Sequence, residues 1–118
     1  MGVLRYLYSS TYYVTMKREL SVASLTVLHA VGSGTTHGFD VIEATGLPAG
    51  TVYPALSRME RDGLLTSSWE DVAEARAGKR PPRRYYRITA RGVTTLNDAL
   101  ARVHALKPIR RARASSSR

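Results

Sequence analysis

The stretch AGTVYPALSRMERDGLLTSSWEDVAEARAGKRPPRRYYRITARG, residues Ala49 to Gly92, decides how this chain folds. Its first third places Val52, Ala55, Leu56 and Met59 at i, i+3, i+4 and i+7, which predicts a helix over Ala49–Asp62 with one buried face. Thr51, Pro54, Ser57, Arg58 and Arg61 fall mainly off that stripe, with Tyr53 near its edge. Pro54 reads as close enough to the helix start to be tolerated in the first turn. Gly63 ends the helix, and Leu64–Glu70 reads as a strand. Asp71–Arg83 reads as a loop broken by Gly78, Pro81 and Pro82, and Arg84–Thr89 as the returning strand, with Tyr85 and Arg87 on one side and Tyr86 and Ile88 on the other. From Arg76 to Arg91 stand seven basic residues (Arg76, Lys79, Arg80, Arg83, Arg84, Arg87, Arg91) and no acidic one. A helix that can lie in a groove, followed by a hairpin with a cationic arm, is the layout of a winged helix-turn-helix. It points to nucleic acid rather than to catalysis.

Upstream, Val22, Leu25, Leu28 and Val31, with Val27 adjoining, follow helical spacing behind a Ser21 N-cap, and Gly32-Ser33-Gly34 ends that helix. Thr36 is the expected cap of a second helix, His37–Thr45, which turns Phe39, Val41 and Ile42 inward and stops at Gly46. Downstream, Thr89 caps a last helix reaching about Lys107, where Pro108 stops it. Val93, Leu96, Leu100 and Val103 step along it by 3, 4 and 3, an a/d seam. Such a seam can cover its own domain or pair with a second copy. A helix of ~18 residues, about 27 Å long, would overhang a domain this small, which favours a homodimer interface.

The expected fold class is therefore mainly α with a small β-hairpin (α+β): a winged helix-turn-helix plus a C-terminal dimerisation helix. The divisions are an N-terminal arm at 1–15 rich in Tyr (Tyr6, Tyr8, Tyr12, Tyr13), the DNA-binding domain at 16–89, the dimerisation helix at 90–107 and a basic, disordered tail at 108–118. The arm's imperfect alternation leaves a short strand, a packing arm and a disordered extension all open.

Composition agrees with a polyanionic partner. Eighteen Lys+Arg stand against nine Asp+Glu in 118 residues, a net charge of +9. The chain holds no cysteine, which excludes disulfides and thiolate chemistry. No apolar run approaches the ~18 residues of a membrane span, and the N-terminus lacks the pattern of a signal peptide. A cytoplasmic location is expected. His29, His37 and His104 are dispersed, without an i, i+4 pair or a carboxylate cluster, so no metal site and no cofactor are expected. No GxSxG, P-loop or nucleophile–base arrangement appears, and an enzyme is not expected.

His37–Leu65, HGFDVIEATGLPAGTVYPALSRMERDGLL, and Gly78–Gly92, GKRPPRRYYRITARG, resemble the PadR family of bacterial winged-helix transcriptional regulators. The blocks are His-Gly-aromatic, Gly-Thr-hydrophobe-Tyr-Pro-x-Leu, a Glu-x-x-Gly-hydrophobe turn and Arg-Tyr-Tyr-x-hydrophobe-Thr-x-x-Gly. They fall in the family's order, and the likeness runs from about Leu20 to Leu106. Three features depart from the family: Phe39 stands where Tyr is usual, the wing loop carries extra residues around Val72–Arg76, and the aromatic lead has no counterpart. The resemblance implies a homodimeric repressor, a palindromic duplex-DNA operator and release by a small-molecule effector or by a change in expression.

On this reading Thr51, Tyr53, Pro54, Ser57 and Arg58 face the major groove, where Arg reads guanine and Ser or Thr reads donors or acceptors. His37 sits at a helix start within reach of a phosphate, or simply caps it. Lys79, Arg80, Arg83 and Arg84 form the wing on the backbone, stiffened by Pro81-Pro82. Tyr86 and Trp69 read as mostly structural, with ligand stacking the alternative for Trp69. Two rivals remain: an RNA- or ribosome-associated basic domain, which needs exposed aromatics, and a protein-interaction module acting through the seam.

Overall fold

A computed structural model of the chain describes residues 20–109. The aromatic arm and the tail from Arg110 onward lie outside the described residues. The described part runs α1 (Val22–Gly32), α2 (Gly38–Thr45), α3 (Ala49–Arg61), β1 (Leu65–Trp69), α4 (Val72–Ala77), β2 (Arg84–Ile88) and α5 (Ala90–Ala105). This is a mainly helical fold with a two-stranded antiparallel hairpin, the expected class.

Side-chain caps begin three of the helices. Ser21 accepts from the Ser24 amide, Asp71 from Ala73 and Thr89 from Gly92, each satisfying an amide that the first turn leaves without an intrahelical partner. Helix α2 begins differently from the expectation: its N-cap is His37, not Thr36. The Thr36 carbonyl instead accepts the Tyr86 amide at 2.7 Å, and His37 bridges Tyr85, so this segment is tied to the free edge of β2.

The core lies where α1, α2, α3 and the hairpin meet. Val27, Leu28, Val41, Val52, Leu56, Met59 and Leu65 are its most completely buried large side chains. All four residues of the α3 stripe are buried, as its spacing requires. In α2 only half of the expected inward face holds: Val41 is buried and Ile42 partly so, whereas Phe39 is exposed. The start of α2 is covered, since Gly38 is buried against α3; Phe39, two residues before Val41, stands on roughly the opposite side of the helix from it and so faces outward.

The hairpin pairs Leu65 with Ile88, Ser67 with Tyr86 and Trp69 with Arg84. These three pairs share one face by strand alternation. Leu65 and Tyr86 on it are buried, but Trp69 is exposed, which corrects its reading as a core residue. Alternation gives the face a residue points to, not how far the helices beneath extend, and here the strand outruns them. The span read as a loop contains α4, capped by Asp71.

The last helix does not present its seam as one surface. Leu96 is buried and Leu100 packs on the core, together with buried Gly92 and Ala99, whereas Val93 and Val103 are exposed. No helix among the described residues is long and apolar enough to cross a membrane.

The start of α5 is held very tightly. Thr89 donates its amide to the Leu64 carbonyl at 3.0 Å and its hydroxyl to the Gly63 carbonyl at 2.7 Å. A Cβ on Gly92 would run into the Leu64 carbonyl oxygen and the Ile88 side chain. Gly92→Ala is therefore expected to destabilise the domain by about 1–3 kcal/mol, since the backbone must shift to admit the methyl. In thermal melts this is a drop of roughly 4–8 °C per kcal/mol. A melting temperature within a degree of the parent would show that the contact relaxes freely.

Candidate nucleic-acid interface

With the stripe of α3 committed to the core, its opposite side is presented outward. Tyr53, Pro54, Ser57 and Arg58 are exposed and Thr51 is half-buried. Pro54 lies inside the helix, in its second turn rather than its first. Its missing N–H leaves the Gly50 carbonyl without the usual i→i−4 donor. The Tyr53 ring closes over the start of α2, and a Cβ on Gly38 would overlap it, with Tyr53 Cζ and Oη both at 2.9 Å. The Gly of the His-Gly-aromatic block is thus the space that lets the helix-turn-helix pair approach.

His37 is engaged within the fold. Its Nε2 lies 2.9 Å from Asp40 Oδ2, and its ring meets the Tyr85 ring edge-on at 5.7 Å. Asp40 in the first turn also complements the positive end of α2.

The run of basic residues from Arg76 to Arg91 is partly neutralised by carboxylates outside it. Glu70, nearly buried, takes the Arg80 guanidinium in a two-pronged bond, with Nη2 to Oε2 at 2.7 Å. It also accepts the Arg83 amide at 3.2 Å and lies 3.5 Å from the Tyr85 hydroxyl. Glu60 at the end of α3 pairs with Arg84 at 3.3 Å. Arg84 further donates to Ser67 Oγ at 2.9 Å and lies over the Trp69 ring, 5.4 Å from its centre. Among the described residues, Arg76, Lys79, Arg83, Arg87 and Arg91 remain exposed and outside any ion pair, as do Arg58 and Arg61 on α3.

The inserted α4 sets this arrangement. It closes with the Lys79 amide on the Arg76 carbonyl at 3.0 Å and the Arg80 amide on the Ala75 carbonyl at 3.1 Å. That is a Schellman turn, with Lys79 at φ 55 in the left-handed position where glycine is usual. The turn reverses the chain so that Arg80 faces back onto Glu70.

Between α3 and this wing lies an open cleft of about 440 Å³. It gathers His37, Tyr53, Arg80, Arg83 and Arg84 from the sequence-nominated set and adds Phe39, Trp69 and Tyr86. Phe39 and Trp69 were not nominated as surface residues. Trp69 sits on a strand pattern that implies an inward side chain, and its place at the strand's end sets it outside, whereas Phe39 stands off the buried Gly38–Val41 face of α2. Thr51, Pro54, Ser57 and Arg58 lie beyond the cleft along α3, and Lys79 beside it at the end of α4. Among the described residues no three His, Asp or Glu side chains gather as a metal site would require.

Helix-turn-helix, hairpin wing and trailing helix together define a winged-helix domain. The family model described as the transcriptional regulator PadR-like family matches residues 27–98, and the chain belongs to that family. Its likeness to solved structures is one of fold. A PadR family transcriptional regulator from Eggerthella lenta is 25% identical, with 88% of each chain covered and a TM-score of 0.59. Bordetella bronchiseptica BpsR, described for regulation of its DNA binding by 6-hydroxynicotinic acid, is 21% identical over 91% of this chain and 81% of its own, at a TM-score of 0.61. Bacillus subtilis PadR, solved in complex with operator DNA, is 19% identical over 78% of this chain and 53% of its own, also at 0.61. No curated protein matches the chain.

Its bonds, Arg80's first among them, hold Glu70 at about 2, well below the ordinary 4.5 of its carboxyl. A carboxylate depressed by folding adds stability that is complete above its unfolded value and is lost as pH falls from about 4.5 toward 2. Acid unfolding followed by circular dichroism should show this loss in the parent, and Glu70→Gln should remove that part of the pH dependence. Superimposable acid profiles would show that the Glu70–Arg80 bond does not hold the wing in solution.

Proposed function

We propose that the protein is a homodimeric repressor that binds duplex DNA sequence-specifically at a palindromic operator. Helix α3 enters the major groove with Thr51, Ser57 and Arg58 toward base edges and Pro54 against the groove wall. Arg83 and Lys79 lie on the backbone, with Tyr53 beside them. The carrying observation is the division of α3: its apolar stripe is fully buried while its polar, cationic face stands exposed beside the unpaired cations of the wing. The operator complex of Bacillus subtilis PadR supports DNA as the partner. Release by a small effector is part of the proposal, as the Bordetella protein's regulation suggests.

Arg80 and Arg84 serve here to shape the wing, because each is already bonded to a carboxylate. His37, bonded to Asp40, positions α2 rather than a phosphate. A second reading, RNA association, draws on the exposed aromatics Phe39, Tyr53 and Trp69. Competition between duplex DNA, duplex RNA and single strands separates the two.

Each phosphate contact contributes about −0.9 to the slope of log K against log[salt]. Lys79→Asn with Arg83→Gln should therefore flatten that slope by about two units, whereas Arg80→Gln should change it by less than one. Equal effects would return Arg80 to the phosphate-binding set. Arg58→Ala should cost roughly 1–3 kcal/mol at one operator position, and uniform weakening on all DNA would make it a backbone contact instead.

The dimer is tested best away from the core. Leu100 supports its own domain, so a charge there unfolds as well as dissociates, whereas Val103 is 52% exposed. Val103→Asp should give a folded monomer by sedimentation, with specific DNA affinity lost and weak, salt-sensitive binding kept. A variant still dimeric and still operator-specific would move the interface off this helix.

A further inference from the structure

Helix α4 is not needed to build the core. Ala75 is its buried residue, and Ala75 lies outside the main apolar cluster. What the helix does build is a second open cleft, of about 360 Å³, against the loop that returns to β2. Val72, Ala75 and Pro82 give this cleft an apolar floor, and Arg76, Lys79 and Arg80 stand around it. Val72, Ala75 and Arg76 fall at i, i+3 and i+4, so they share one side of α4. Glu74 stands about half a turn away from that side, and Asp71 is engaged by the Ala73 amide.

The walls of the cleft are fixed before anything binds. The Arg80 amide bonds the Ala75 carbonyl at 3.1 Å, Glu70 holds the Arg80 guanidinium, and Pro81-Pro82 restrict the facing loop. The charge of Arg80 is thereby answered within the fold. Arg76 and Lys79 are exposed and outside any ion pair among the described residues. Val72 is 58% exposed, so the floor is only partly covered. An apolar floor with two free cations at its rim is complementary to an aliphatic side chain flanked by carboxylates. A phosphate backbone answers the cations but offers no aliphatic side chain to Val72 and Pro82.

We propose that this cleft docks an acidic segment of a partner protein, with one aliphatic side chain seated against Val72, Ala75 and Pro82 and the flanking carboxylates bonded to Arg76 and Lys79. Capture of acidic motifs by clustered cations is a recurring mode of peptide recognition, and an apolar anchor in a preformed pocket sets its register. The surface goes beyond the DNA-binding function proposed above. It shares only Lys79 with the residues placed on DNA there, since α3 and Arg83 lie outside the cleft. Its test needs no DNA, so it stands or falls apart from that function.

The probe is a fluorescein-labelled peptide, Gly-Asp-Glu-Leu-Asp-Glu-Gly with blocked ends, titrated with the purified full chain and followed by anisotropy. One control peptide replaces the leucine by glycine and keeps the charge; the other replaces the acids by their amides and keeps the leucine. Saturable binding is expected, with the leucine-and-acid peptide held about fivefold or more tighter than either control. Val72→Ser and Arg76→Gln, both at exposed positions, should each weaken it about fivefold with circular dichroism unchanged. Arg87→Gln removes the same charge from an exposed site outside the cleft and should change the affinity by less than about twofold. The absence of saturable binding at protein concentrations up to about 1 mM overturns the proposal. So does equal binding of the glycine peptide, which is the behaviour of a phosphate-contacting ridge rather than of an anchored site. Unchanged affinity in Val72→Ser, or equal weakening by Arg76→Gln and Arg87→Gln, overturns it as well, since the peptide would then be held by the net charge of the chain.

Discussion

Burial of the α3 stripe is the constraint on which the rest depends. Val52, Ala55, Leu56 and Met59 leave the helix one rotational setting, because turning it would bring apolar side chains into water and the Arg face into the core. Once that setting is fixed, every residue of the opposite face has a fixed direction. The Tyr53 ring then lies over Gly38, which fixes α2 against α3, and Glu60 at the far end reaches the hairpin. One buried face therefore orients the helix, its partner helix and the wing together.

The order of elements, the stripe, the hairpin strands and two of the three side-chain caps could be read from the sequence because they depend on local spacing. Ser21 and Thr89 need only the chain that follows them, and the α3 periodicity repeats within two turns. The state of the basic residues could not be read in that way. Arg80 meets a carboxylate ten residues earlier across a turn, and Arg84 meets one twenty-four residues earlier across the hairpin. A run without acidic residues looks uncompensated until the fold brings Glu70 and Glu60 to it.

The misplaced aromatics have separate causes. Trp69 obeys the inward alternation of its strand, but alternation carries no information on where the supporting layer stops, and at the strand's end it is exposed. Phe39 is exposed because the helical period sets it away from Gly38 and Val41, the buried face of α2. Helix α4 was hidden for a different reason: six residues with alanine as the commonest type offer little periodicity. Its signals were the Asp71 cap and the turn at Gly78-Lys79, which a reading centred on Pro81-Pro82 passes over.

The wing that results is stiff for its length. Glu70 joins both sides of the loop in one cluster, accepting side-chain bonds from Arg80 and the backbone bond from Arg83, while its own amide donates to the Arg83 carbonyl at 2.7 Å. The Glu60–Ser67–Arg84 contacts tie the middle and the loop end of the same hairpin to the last turn of α3. A wing held across its loop and along its strands loses little conformational freedom on meeting a partner, so in the proposed DNA complex more of the contact energy of Arg83 and Lys79 would be retained as affinity. The same ties couple the two surfaces: a displacement of the wing pulls on the end of α3. The two carboxylates thus hold the unpaired cations in fixed positions rather than merely cancelling charge.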